Sequence, residues 1–207
     1  MDAPEPEVTV VVLAGGRSTR FGGDKLAVEV EGRPLLHRAI TAVAQVVDEI
    51  VVVIAPDGAR PQLPADLDVP ARVVRDAVAD GGPLAGLAAG LAAARAPLAL
   101  VAGGDQPSLS PSLLAELLLW LGPDAEGPPL DVVALEQGGI LRPLPSAVRV
   151  ATVRPAAAAA LAGDARSLVG LFAGLRAGTL AADRWRELDP DGASLRDVDT
   201  SHDLGGA

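Results

Sequence analysis

Cysteine is absent from the 207 residues, so disulfides, thiolate metal sites and a cysteine nucleophile are excluded, while the redox compartment stays open. Aromatic side chains are nearly as scarce: two Trp, two Phe and no Tyr, 2% of the chain. A core therefore has to be assembled from Val, Leu, Ile and Ala, and few rings exist on which bases could stack. Cations are in deficit too, 17 Lys and Arg against 27 Asp and Glu, giving a formal charge of −10 and a pI near 4.6. That balance repels polyanions, so nucleic acid is not an expected partner. No apolar run is long enough to cross a bilayer, and the acidic start MDAPEPE has neither the cationic nor the apolar segment of a secretion signal. A soluble, cytoplasmic protein without a membrane partner is expected.

What is present alternates between strand and helix patterns. Val8 to Leu13 is a nearly continuous β-branched run, the pattern of a strand buried on both faces, and glycines follow it at once. Leu36, Ile40, Val43 and Val47 recur at helical spacing behind Pro34, a suitable first-turn residue, and Glu49 to Ala55 repeats the buried-strand pattern. By the handed crossover rule these two strands run parallel. Ala71 to Arg75 predicts a third strand, Gly81, Gly82 and Pro83 open a helix with Leu84, Leu87 and Leu91 on one face, and Pro97 to Ala102 predicts a fourth strand. Ser110 and Pro111 read as N-cap and first residue of a leucine-striped helix reaching Leu121. Beyond the loop from Gly122 to Pro129 the expectation is a strand near Asp131 to Leu135, another through Pro145 to Val150, and an alanine-rich helix from about Pro155 to Leu161. The whole predicts an α/β protein, Rossmann-like and doubly wound: a mostly parallel sheet between two helical layers. Length fits a single domain over residues 1–207, with residues 1–7 disordered.

Residues 13 to 25, LAGGRSTRFGGDK, hold four glycines and set Arg17, Arg20 and Lys25 against Asp24 alone, a local surplus of positive charge in an acidic chain. The stretch follows a strand's carboxyl end, where open parallel sheets bind ligands and where backbone N–H groups converge on anions. A triphosphate held by an acidic protein needs such a cationic cradle together with a metal. Gly16 to Gly22 has the wrong spacing for G-x-x-x-x-G-K-[ST], and G-x-G-x-x-G is absent, which excludes a P-loop NTPase and a dinucleotide dehydrogenase. On these residues alone, a plain glycine turn with solvated arginines remains the alternative. Asp105, followed by Gln-Pro at a strand end, reads either as a hard-cation ligand or as an Asx turn.

LAGG-x-S-x-RFGG-DK over Leu13 to Lys25 resembles the signature loop of the MobA-type molybdenum cofactor guanylyltransferases, a family that joins GMP from GTP to molybdopterin. RDAVADGGPLAGL (Arg75 to Leu87), GDQPSL (Gly104 to Leu109), RPLPS (Arg142 to Ser146), RSL (Arg166 to Leu168) and DVDTSHDL (Asp197 to Leu204) resemble further motifs of that family, in order along nearly the whole chain. Departures are Ile54 where the family often has Asn, Gly104 where it has Cys, and Asp197, Asp199 and Ser201-His202 in place of asparagines and Pro-Glu.

The resemblance implies a nucleotide-binding half at about 8–121 and an acceptor-binding half at about 130–204. Gly15 and Gly16 would let N–H groups approach the phosphates, with main-chain contacts from Leu13 and Ala14 at the base or ribose. Arg20, Lys25 and Asp105 form the implied catalytic set, the two cations neutralising phosphates and departing pyrophosphate and Asp105 holding Mg²⁺. Asp199 is a second candidate metal ligand, with a surface cap as the alternative. Asp76 is implied as a nucleotide contact able to accept guanine's N1 and N2 donors, and Gly82 opens a helix aimed at the same crevice. His37 and His202 are isolated and read as solvated or packing residues. Implied partners are GTP and molybdopterin, with molybdenum-insertion proteins and molybdoenzyme chaperones beyond them. Rival readings are a cytidylyltransferase for the same pterin, a sugar or phospholactate nucleotidyltransferase, and a GTP-binding protein without turnover in cofactor delivery.

Overall fold

The computed structural model describes residues 6–15, 25–30, 32–122 and 127–198. In chain order the elements are β1 (Val8–Leu13), a short antiparallel pair β2 (Glu29–Val30) and β3 (Arg33–Pro34), α1 (Leu35–Val43), β4 (Glu49–Ile54), β5 (Ala71–Arg75), α2 (Gly82–Ala93), β6 (Leu98–Gly103) and α3 (Pro111–Leu119). They continue with β7 (Val132–Gln137), β8 (Ile140–Arg149), α4 (Val150–Ala162), α5 (Leu168–Ala173), β9 (Ala177–Leu180) and α6 (Ala182–Leu188). Seven strands join in the order β5-β4-β1-β6-β8-β7-β9, and only β8 runs antiparallel to its neighbours.

The side-chain period of two divides each central strand between two cores. Val10 and Val12 of β1, with Ile50, Val52 and Ile54 of β4, pack beneath α1, α3 and α6, whereas Val11, Val51 and Val53 pack beneath α2, α4 and α5. This is the expected three-layer arrangement. The chain leaves β1 toward β4 and β5 and then returns past β1 to β6. Right-handed crossovers in opposite directions put α1 and α2 on opposite faces and leave a crevice where the carboxyl ends of β1 and β6 meet.

Local boundaries differ from the sequence reading for identifiable reasons. Pro34 is the N-cap residue of α1 and pairs in β3, so the helix starts at Leu35, and Val47 is buried from the connecting turn rather than from the helix. Helix α4 begins at Val150, five residues before Pro155, because Val150, Val153 and Ala157 bury one stripe and offset the single i→i−4 bond that proline removes. Strand β8 begins at Ile140 rather than Pro145 and ends at Arg149. At the entrance to β1 the amides of Glu7 and Val8 both donate to the Asp48 carboxylate at 2.9 Å, while residues 1–5, most of the stretch 1–7 expected to be disordered, lie outside the described residues. Ser110 does cap α3, accepting from the Leu113 amide at 3.4 Å, with Pro111 behind it.

Candidate active site

At the crevice, three backbone bonds stitch the strand ends together. The Ala14 amide donates to Val53 O at 2.7 Å, the Gly104 amide to Leu13 O at 2.9 Å and the Asp76 amide to Ile54 O at 3.0 Å. Around them opens a cavity of about 520 Å³. Leu13 and Gly15 contribute from the end of β1, and Ala55, Pro56 and Asp57 from the turn after β4. Asp76 and the loop Ala79–Pro83 form another side, and Gly103, Asp105 and Leu144 complete it. The Gly82-Pro83 start of α2 therefore faces the crevice as the sequence suggested, and helix N-terminal amides favour anions. Gly82 has a φ of +67, and a Cβ there would lie 3.2 Å from Arg166 O, so the loop's approach to the RSL segment depends on glycine.

Lys25 and Asp105, 80 residues apart, are joined by an ion pair of 2.9 Å between Nζ and Oδ2. Lys25 opens a 3₁₀ turn, Lys25–Ala27, and is 9% exposed, while the Asp105 side chain keeps 32% of its surface at the cavity. A Cβ on Gly103 would come within 2.5 Å of Asp105 Oδ1, so the strand ends in glycine where the carboxylate folds back. Next to it, Gln106 is buried and spends both ends of its amide on backbone: Oε1 accepts from Gly103 N at 2.8 Å and Nε2 donates to Ser194 O at 3.0 Å. The Val198 amide donates to Asp105 O at 3.1 Å, and Ser110 N donates to Ser194 Oγ at 2.8 Å. Asp189 in turn caps the amides of Ala193 and Ser194. The chain's last described stretch thus clasps the GDQPSL turn, which brings that motif and the start of DVDTSHDL together.

The candidate residues divide as follows. Leu13, Gly15, Asp76, Gly82 and Asp105 line the cavity, and Lys25 reaches it through Asp105. Ala14 is not among the lining residues, and its amide is bonded to Val53 O, which leaves its carbonyl for the expected main-chain contact. Gly16, Arg20 and Asp199 lie outside the described residues, as does His202. His37 sits away from the cavity with Nε2 against Gln62 O at 2.9 Å, in keeping with a packing role. Asp76 accepts the Val78 amide on Oδ1 at 2.8 Å. Residues not singled out from sequence are Asp57, Asp80, Gln106 and Arg75; the last three lie inside quoted motifs, but nothing local marks them.

The donor chemistry suits a hard divalent cation. Asp105 offers carboxylate oxygen at the cavity, and among the described residues no cluster of three or more His, Asp or Glu competes to form an all-protein cage. One or two carboxylates with substrate phosphates are what Mg²⁺ requires.

Comparison with known proteins places this geometry. Residues 10–184 match the model of the MobA-like NTP transferase domain. The chain is 34% identical over 197 residues to a Chloroflexus aggregans protein named "Probable molybdenum cofactor guanylyltransferase", covering 94% of this chain and 90% of that one. It is 45% identical over 116 residues to the molybdenum cofactor guanylyltransferase of Burkholderia vietnamiensis, about half of either chain. The crystal structure of molybdopterin-guanine dinucleotide biosynthesis protein A from Archaeoglobus fulgidus superposes with a TM-score of 0.75 over 95% of both chains at 21% identity, a likeness of fold. With Lys25 and the strand-end Asp105 joined at the switch point of a doubly wound sheet, and with the match running over residues 10–184, the chain belongs to the MobA-like NTP transferase domain family.

Proposed function

We propose that this nucleotidyltransferase moves GMP from GTP to molybdopterin, releasing pyrophosphate and giving the guanine dinucleotide form of the molybdenum cofactor. The observation that carries the reading is the Lys25–Asp105 pair at the mouth of the cavity, in a chain 34% identical over nearly its full length to a protein with that name. The chain works as one domain, with the nucleotide on the half at 8–121 and the acceptor on the half at 130–204, in the cytoplasm.

Gly15 clears space beside the β4 end for the nucleotide, and α2's first amides at Gly82 face its phosphates. Lys25 gives its charge to the phosphate oxygens and to the leaving pyrophosphate, with Arg20 as a second cation and Gly16 as a main-chain contact for the phosphates. Asp105, with Asp199 as a second ligand, would hold Mg²⁺, which would supply neutralisation of phosphate charge when bound. Asp76 Oδ2 accepts from the base. The attacking phosphate oxygen of molybdopterin is already ionised near neutral pH, so positioning and charge neutralisation suffice and no general base is needed. His37, the one histidine among the described residues, is accordingly engaged elsewhere. Molybdenum-insertion proteins and molybdoenzyme chaperones stand before and after this step as partners.

The test supplies each of the four NTPs with Mg²⁺ and Mo-molybdopterin and follows pyrophosphate. GTP is expected to be used at least about tenfold faster than the others, a discrimination of ~1.4 kcal/mol. Equal use of all four would remove the guanylyl assignment, a preference for CTP would favour the cytidylyl rival, and tight GTP binding without pyrophosphate would favour a carrier.

A further inference from the structure

Part of the cavity wall has no regular structure of its own. Ala55, Pro56 and Asp57 form a turn after β4, closed by Gly58 N donating to Ala55 O at 3.1 Å. What holds it is Arg75, the last residue of β5, whose NH1 donates to the carbonyl oxygens of Ala55 at 3.2 Å, Pro56 at 2.9 Å and Gly58 at 2.7 Å. One guanidinium thus gathers three carbonyls of a single turn. The same residue directly precedes Asp76, which lines the cavity from the neighbouring strand end.

Two consequences follow from geometry. Peptide groups are planar and trans, so drawing the Pro56 carbonyl toward Arg75 turns the Asp57 N–H to the other side of the bond. The turn also backs the glycine loop, because a Cβ on Gly15 would lie 3.2 Å from Ala55 N. Asp57, which carries an amide donor, thus lines the cavity on a turn that Arg75 ties down, and Asp76, a carboxylate acceptor, lines it from the adjoining strand end. Guanine presents the complement: an acceptor oxygen at position 6 beside the N1 and N2 donors. Cytosine and adenine each present an amino donor beside an acceptor nitrogen, the reverse order.

We propose that Arg75 is a positioning residue for base selection: it fixes the turn at 55–58 so that a main-chain donor and the Asp76 carboxylate together accept guanine and reject cytosine. The inference rests on the nucleotide reading of the same cavity and adds to it the residue that sets specificity. Arg75 is not among the residues that line the cavity and acts through those that do.

The experiment compares wild type with Arg75→Ala, Arg75→Met and Arg75→Lys, measuring Kd for GTP and CTP by calorimetry without acceptor, and kcat and KM in turnover. Removal of the guanidinium is expected to raise the GTP Kd and KM about tenfold, as for a lost charged hydrogen-bond network. CTP binding should stay within about twofold and kcat should fall less than KM rises, so that preference narrows. Lysine, which can reach fewer of the carbonyls, should restore part of it. Should the alanine variant fail to fold, the methionine variant, which keeps the apolar stem, carries the same expectation. An unchanged GTP to CTP ratio in a folded variant, or a fall in kcat with KM unmoved, overturns the proposal. Failure of the wild type itself to bind GTP is a different result and defeats the nucleotide reading beneath it.

Discussion

The two edges of the sheet carry ion pairs of different kinds. Where β1 and β6 end, Lys25 and Asp105 meet at a cavity that leaves Asp105 partly exposed. Where the strands begin, Glu49 at the head of β4 is 1% exposed and accepts Thr9 Oγ1 at 3.1 Å, with Arg72 and Arg95 on its other oxygen. Asp131, just before β7, likewise takes Arg176, just before β9, in two side-chain bonds of 2.9 and 3.0 Å. None of these lower-edge residues lines the cavity. The lesson is one of placement: Lys25 and Asp105 meet beside the cavity, whereas the buried carboxylates of Glu49 and Asp131 take arginines of neighbouring segments away from it and tie the strand starts together.

The comparison can be broken by substitution. Lys25→Ala is expected to lower turnover at least about a hundredfold, in the range seen when one preorganised electrostatic donor is lost. Its melting temperature should move by no more than about 3 °C, since Asp105 keeps contact with solvent. Glu49→Ala should do the reverse. Leaving Arg72 without its buried partner costs about 3 kcal/mol in denaturant unfolding, with turnover per folded molecule within about twofold of wild type. If both variants lost both properties, the distinction between the edges would fail.

A smaller effect sharpens the picture through pH. Hydrogen bonds from Arg176 hold the Asp131 carboxyl at about 2, below its ordinary 3.8. A depressed carboxyl protonates first in the unfolded chain, so its contribution is complete above about pH 5 and is lost as pH falls through 3.8 toward 2. Asp131→Asn should flatten that part of an acid titration of stability. The change should be at most about 1 kcal/mol, because the Arg176 side chain is 56% exposed and screened by solvent.

What sequence made legible follows from locality. Strands β1, β4 and β6 are runs of apolar residues buried on both faces, and that pattern needs no tertiary information. The short pair β2 and β3, strand β9 and helices α5 and α6 escaped notice because four to seven residues, or two, carry too little periodicity. Strand β8 was clipped at its front although Gly138-Gly139 before Ile140 is a hairpin signal. At the site, Lys25 and Asp105 stood out because their motifs are contiguous in sequence. Gln106 and Arg75 did not, since their partners at Ser194 and at 55–58 are distant and are backbone atoms, which a sequence does not mark.

The clasp between the Asp105 turn and residues 189–198 bears on how the protein comes into being. Synthesis proceeds from the N-terminus, so β1, β4, β5 and β6 leave the ribosome well before the segment that satisfies the Gln106 amide and the Asp105 carbonyl. A nascent chain with four parallel strands already paired would still carry an unfinished cavity wall at Asp105, and that wall would close only once the final stretch docks.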